Sequence, residues 1–290
     1  MQVAFHVGAF DTESDIPIRI LRANDDILEE EGVVIASPEE YGNALREPLV
    51  ALRGGVASAG MRDQVVMACT GRPPGDVDRL VITQRGLLAG PDRAVTAEGL
   101  YPLAPQRIGA LANLFPQDEV EFHFSIISPV LLLQSLSRKR DYAELLDGRP
   151  PEQLLWSPVI ARMAEAAQGR RLVVWCNEDL PLILPEVVRS LAALDPAIPL
   201  RSEDLLLRAL LTPEGLRELQ DDLAPLPPQA IAARRALTVA ALDRHARPGR
   251  MDQEISIPGW SEDLVHDLTD LYEDDVTRLG AMPGVTFIAP

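Results

Sequence analysis

Cysteine is almost missing from this chain: Cys69 and Cys176 are the two in 290 residues. Two thiols cannot build a disulfide framework, so a reduced, cytoplasmic setting is expected. Neither cysteine has cationic sequence neighbours that would lower a thiol pKa, and both read as small buried hydrophobes. No apolar run reaches the roughly 18–20 residues of a membrane span, so no membrane partner is expected. The N-terminus has no basic region and its apolar run stops at Asp11, which argues against a secretory leader. Basic residues are scarce: 27 Lys and Arg face 44 Asp and Glu, for a formal net charge of −17. That balance opposes nucleic acid and anionic lipid, both of which need clustered cations. The one compact basic cluster, Arg138-Lys139-Arg140, follows an apolar helical pattern, where cations complement the helix dipole. His6, His123, His245 and His266 are dispersed, with no i,i+4 pair, so there is no zinc signature and no metal is expected. Ser58 and Ser128 sit in no Gly-x-Ser-x-Gly elbow, leaving a hydrolase triad unsupported.

What is present reads as a globular α/β chain, 47% hydrophobic and 24% charged. Five short segments, 3–7, 33–36, 80–83, 120–127 and 171–176, read as buried strands, and several are continuous apolar runs of the kind that parallel sheets use. Helical patterns alternate with them at 16–31, 39–53, 106–115, 130–138 and 151–168. Another covers 182–194, its start set near Leu184 by Pro185. Alternation with right-handed connections predicts a doubly wound, mostly parallel sheet. Past residue 195 the pattern turns helical, at 202–211, 213–223, 228–247 and 262–280, with short strand signals at 254–257 and 285–288. The expectation is an α/β core over 1–195 and a helical extension over 196–290 packed on it as one structural unit.

The first fifteen residues carry the most information. A strand runs through Gly8-Ala9-Phe10 into Asp11-Thr12-Glu13-Ser14-Asp15, which opens a helix. Strand, glycine turn and helix N-terminus form the usual phosphate cradle, with outward amides and a favourable dipole. This chain puts three carboxylates there and no lysine. Asp11, Glu13 and Asp15 read either as a cation site or as acids complementing the helix N-terminus. His6 reads as a ligand or base beside the loop, or as a strand-end histidine bonded to a neighbouring segment. His123, between Phe122 and Phe124, reads as structural. Glu178 and Asp179 follow a parallel strand, where α/β ligand sites lie. They read as a general base or substrate contact, or as a helix cap, with Asn177 a further hydrogen-bonding group. The acidic helix holding Asp263, Asp267, Asp270, Glu273, Asp274 and Asp275 reads as a solvated face.

The stretch Phe5-His6-Val7-Gly8-Ala9-Phe10-Asp11-Thr12-Glu13-Ser14 resembles the opening of bacterial sulfotransferase-like proteins, which begin with a strand, a His-x-Gly turn and a Lys-Thr-Gly-Thr-Thr-type loop. His6 and Gly8 match, Thr12 falls on the first threonine and Ser14 on a later hydroxyl, while Asp11 stands at the lysine, Glu13 at the glycine and Asp15 at the last threonine. The helix ending in Arg22-Ala23-Asn24-Asp25-Asp26 and leading to Gly32-Val33-Val34 is similar to the family's asparagine-containing helix before its second strand. Further on, Phe124-Ser125-Ile126-Ile127-Ser128-Pro129 keeps the proline of the family's Arg-x-Pro strand end with Ile127 at the arginine, and Ser135 falls where the family has a donor-binding serine. Val174-Trp175-Cys176-Asn177-Glu178-Asp179-Leu180 resembles the strand and acidic turn that follow.

The resemblance spans roughly residues 3–195 in order. It implies a P-loop-type fold, with Gly8, Thr12, Ser14 and Ser135 at cofactor-binding positions and phosphoadenosine phosphosulfate as donor if the loop still binds one. Sulfuryl transfer builds negative charge that cations and amides must stabilise. Asp11 in place of lysine adds repulsion of about 4 kcal/mol per like-charge pair at 4 Å and an effective dielectric near 20. Three losses, at Asp11, Glu13 and Ile127, therefore lead to the expectation of a sulfotransferase-like protein without a working donor site and without a bound cofactor, serving a binding or structural role for an unknown protein or small-molecule partner. Two other readings stay open: a transferase using a metal-assisted or unusual nucleotide donor, with His6, Glu178 and Asp179 as catalytic candidates, and an acidic interaction module.

Overall fold

The computed structural model describes residues 1–290 except 14, 37–43, 85, 139–141 and 252–254. Its strands are β1 (Gln2–His6), β2 (Val33–Ala36), β3 (Arg79–Thr83), β4 (Val95–Thr96), β5 (Gly99–Leu100), β6 (Glu119–Ile126), β7 (Arg171–Cys176) and β8 (Val285–Ile288). Its helices are α1 (Asp15–Arg22), α2 (Asp25–Glu30), α3 (Arg46–Leu52), α4 (Ala59–Thr70), α5 (Pro91–Ala94), α6 (Ala104–Leu114), α7 (Pro129–Ser137), α8 (Tyr142–Leu146), α9 (Ser157–Ala167), α10 (Leu180–Ala192), α11 (Leu205–Leu210), α12 (Pro213–Leu223), α13 (Ile231–His245) and α14 (Glu262–Gly280).

Six strands form one sheet in the order β2-β3-β1-β6-β7-β8, every pairing parallel, and β4 and β5 make a small antiparallel hairpin. Helices cover both faces, so the fold is doubly wound α/β. The apolar runs at 80–82 and 172–176 sit in the sheet interior, buried from both sides as their sequence required. Strand alternation divides the layers. Val3, Phe5, Phe122, Phe124 and Val174 face α4, α6 and α9. Ala4, Val81, Val173 and Trp175 face α1 and α10.

Three differences from the sequence reading have physical causes. The pattern at 16–31 is two helices, because buried Asn24 leaves the helical ladder: its amide donates to the Ile20 carbonyl at 2.7 Å and the Arg201 carbonyl at 3.1 Å, and its oxygen accepts from the Arg201 amide at 2.8 Å. Helix α10 begins at Leu180 and runs through Pro185. A helix-interior proline costs about 3 kcal/mol, which several buried apolar side chains together outweigh at roughly 1.5–3 kcal/mol each, and Leu180, Ile183, Leu184, Val187, Val188 and Leu191 all bury on this helix. Helix α4 has no counterpart in the reading, although Ser58 caps it by accepting from the Met61 amide at 3.3 Å and left-handed Gly71 ends it.

Residues 39–43 of the helix expected at 39–53 lie outside the described residues, and α3 supplies its end. At 254–257, residue 254 is likewise outside, and 255–257 form no strand. Helices α12 and α14 and strand β8 match the expected bounds, with Thr212 and Ser261 as N-caps. Strand β8 joins the sheet beside β7, and α14 packs against α7 and α9. Asp275 is not solvated: it is buried and caps α9 from across the chain, accepting from the amides of Trp156 at 2.6 Å and Ser157 at 3.0 Å and from the Ser157 hydroxyl. Among the described residues no helix is long and apolar enough to cross a membrane.

Candidate functional site

The chain leaves β1 toward β2 and leaves β6 toward β7, in opposite directions along the sheet. Such a switch point opens a crevice beyond the carboxyl ends of the two strands. A cleft of about 770 Å³ lies there. The turn after β1 supplies Ala9 to Glu13, α1 supplies Asp15, Ile16 and Arg19, and the loop after β3 supplies Gly86, Gly90 and Pro91. The β6–α7 segment supplies Ile127, Leu131, Gln134, Ser135 and Arg138, and Asn177 follows β7.

The β1 turn differs from a glycine cradle. Pairing with β6 continues past the strand end, Val7 donating to the His123 carbonyl at 3.0 Å and Ala9 to the Ser125 carbonyl at 2.9 Å. Gly8 therefore lies on an extended run, and the left-handed residue of the turn is Asp11, at φ 63°. Aspartate is among the few residues that visit this region readily, because its short polar side chain bonds locally. Three of the turn amides are occupied from within. Phe10 donates to the Tyr101 hydroxyl at 2.6 Å, Glu13 donates to Asn177 Oδ1 at 2.7 Å, and the Thr12 amide points at the Ala9 carbonyl at 3.4 Å. Thr12 is buried, its hydroxyl donating to the Ala9 carbonyl at 2.8 Å and accepting from Ser125 at 3.0 Å. Partial burial and then Asp15 push the Glu13 carboxyl above the ordinary carboxylate range.

Tyr101 reaches this turn from 91 residues away in sequence. It is buried, its backbone held at φ 43°, a conformation that costs a bulky residue of order 1–3 kcal/mol. Its ring is held edge-on to Phe124 at 5.9 Å and tilted against Trp156 at 5.5 Å, and Trp156 Nε1 donates to the Ile127 carbonyl at 2.8 Å. Burial raises the Tyr101 phenol, so its hydroxyl keeps its proton.

Of the cofactor positions that the resemblance implied, Thr12 and Ser135 line the cleft, with Ile127 beside them, and Gly8 does not. Ser14 lies outside the described residues. His6 sits on the sheet face toward α10, away from the cleft lining. Its Nδ1 is 3.2 Å from Thr83 Oγ1 and its ring stacks on Trp175 at 5.9 Å. Burial, then His123, lowers its pKa to about 3, so the ring is neutral. Next to it His123, also buried, has Nε2 3.3 Å from Glu121, which in turn pairs with buried Arg79 at 2.5 Å. Glu178 ties three elements together: it accepts from the Ser128 amide at 2.6 Å and from the Tyr272 hydroxyl at 3.3 Å. Burial raises the carboxyls of both Glu178 and Asp179. Neither lines the cleft, whereas their neighbour Asn177 does. Burial pushes both thiols, Cys69 and Cys176, up to about 12, in keeping with inert core residues.

Sequence reasoning did not pick out Tyr101, Arg19 or Gln134 for the site, and it read Arg138 as a dipole effect. A signal existed for two of them: Gln134, Ser135 and Arg138 put polar groups at i, i+1 and i+4 on an otherwise apolar helix. Among the described residues no group of three His, Cys, Asp or Glu side chains converges as a metal site requires. No protein-family model matches this sequence, and no curated protein matches it.

Proposed function

We propose that this chain is a sulfotransferase-like protein that has given up the phosphosulfate donor and keeps the cleft at its topological switch point for another small molecule. The observation that carries the reading is the closed β1 turn. Of the amides that would wrap a donor phosphate, those of Phe10, Glu13 and Thr12 are bonded to Tyr101, Asn177 and the turn's own carbonyl. Asp11 stands where a lysine would offset the donor's charge, and Ile127 offers no cation to a second phosphate. An anion seated against the β1 turn displaces internal hydrogen bonds and faces carboxylates, so it loses on both counts at that wall of the cleft. Titration calorimetry of phosphoadenosine phosphosulfate and of its desulfated product against the full chain tests this. No saturable binding is expected, and saturation in the micromolar range overturns the reading.

A further inference from the structure

We propose that the cleft takes a zwitterionic small molecule, its anionic head held by Arg19, Ser135 and Arg138 and its ammonium group by Asp11 and Glu13. The inference rests on the reading above, that the cleft was kept when the donor was given up, and it names the ligand class.

Ser135 carries the argument. It is only 8% exposed, it lines the cleft, and its hydroxyl has no hydrogen-bond partner among the described residues. The side chain is packed in and its hydroxyl oxygen is not among the fully buried unpaired atoms, so the accessible part of the residue is a hydroxyl open to the cleft and ready to donate to or accept from a ligand there. Arg138 follows Ser135 by three residues and so shares its face of α7. Arg19 lies on α1 and lines the same cleft, and neither arginine makes an ion pair among the described residues. These two cations and the hydroxyl make a wall suited to a carboxylate or a phosphate monoester.

The carboxylates come from a different element, the turn after β1. Asp11 and Glu13 are exposed at the cleft, also without ion pairs among the described residues. A purely anionic ligand meets these two acids, and a purely cationic one meets the two arginines. A single molecule with one charge of each sign satisfies both. At about 770 Å³ the cleft falls in the range of small-molecule sites.

The test is calorimetry on the full chain with four probes: phosphoethanolamine, β-alanine, ethanolamine and inorganic phosphate. The two zwitterions separate a phosphate head from a carboxylate head, and the last two are half-ligands. At least one zwitterion is expected to bind about tenfold or more tighter than either half-ligand. Ser135→Ala and Arg138→Ala should each weaken it by roughly five- to tenfold, and Asp11→Asn should weaken the zwitterion while tightening inorganic phosphate, from which it removes a repelling charge. Phosphate alone binding as tightly as phosphoethanolamine overturns the proposal, as does silence from both zwitterions up to about 10 mM with the chain folded by circular dichroism. Saturable donor binding would sink the preceding reading whatever the zwitterions do. Silence from donor and zwitterions together would sink this inference alone.

Discussion

Phe122 and His123 are neighbours in β6, yet they look into opposite halves of the protein. On Phe122's side the sheet is an aromatic and aliphatic surface: Phe5 stacks on Phe122 at 5.5 Å and meets Phe115 at 5.8 Å. On His123's side a polar row crosses the sheet, from Arg79 and Glu121 through His123 to His6, with Trp175 stacked over His6. The first face is stabilised by burial at any pH. The second depends on its imidazoles staying neutral, because a charged ring with no aligned partner is too costly there.

The largest break in this comparison is on the apolar face. Phe122→Ala should cost about 3–5 kcal/mol in urea unfolding, through lost transfer energy and the cavity it leaves. A loss below about 1 kcal/mol would mean the face repacks freely. Next comes a carboxylate buried on that side. Asp275→Ala removes the cap of α9 and leaves two amides unpaired, for an expected loss of about 1.5–3 kcal/mol, read in the same melts.

The polar face answers to pH. In the folded chain His6 is held at about 3, by burial first and His123 second, against 6.5 for a free imidazole. Between those values the unfolded chain takes up the proton and the folded chain does not. Stability is therefore complete above the upper value and is lost as pH falls toward the lower. Near pH 5 His6 alone should remove roughly 2 kcal/mol relative to neutral pH. His123 is shifted the same way by burial. Glu121 adds to the loss at lower pH: burial pushes its carboxyl up, but His123 and Arg79 outweigh this and hold it at about 2. Urea melts across this range check the slope, and His6→Leu should flatten it. A chain equally stable at pH 7 and pH 5 would defeat the account of neutral buried imidazoles.

The smallest effect belongs to the cleft. Tyr101→Phe removes one hydrogen bond to the Phe10 amide and should cost about 0.5–1.5 kcal/mol without altering the acid slope. A change in that slope would tie the cleft to the polar row.

Much of the fold was legible because its signals are local. The strand at 171–176 carries a continuous apolar run, 172–176, bounded by polar residues, and the helices at 213–223 and 262–280 open on Thr212 and Ser261, whose hydroxyls accept from the first-turn amides. Alternation along Phe122-His123-Phe124 showed a strand with two different faces. The site was legible in part. Thr12 and Ser135 line the cleft, but His6, Glu178 and Asp179 are spent within the protein, and nothing near Tyr101 announces that its hydroxyl bonds the Phe10 amide.

The sequence by itself determined the alternation of strands and helices and hence the doubly wound class, since burial periodicity, caps and breakers act within a few residues of one another. Tertiary structure alone decided that Asn24 splits a helix, that Asp275 caps another and that the β1 turn is closed from within. Each depends on a hydrogen-bond partner between 91 and 177 residues away, and no local pattern encodes which distant group will arrive.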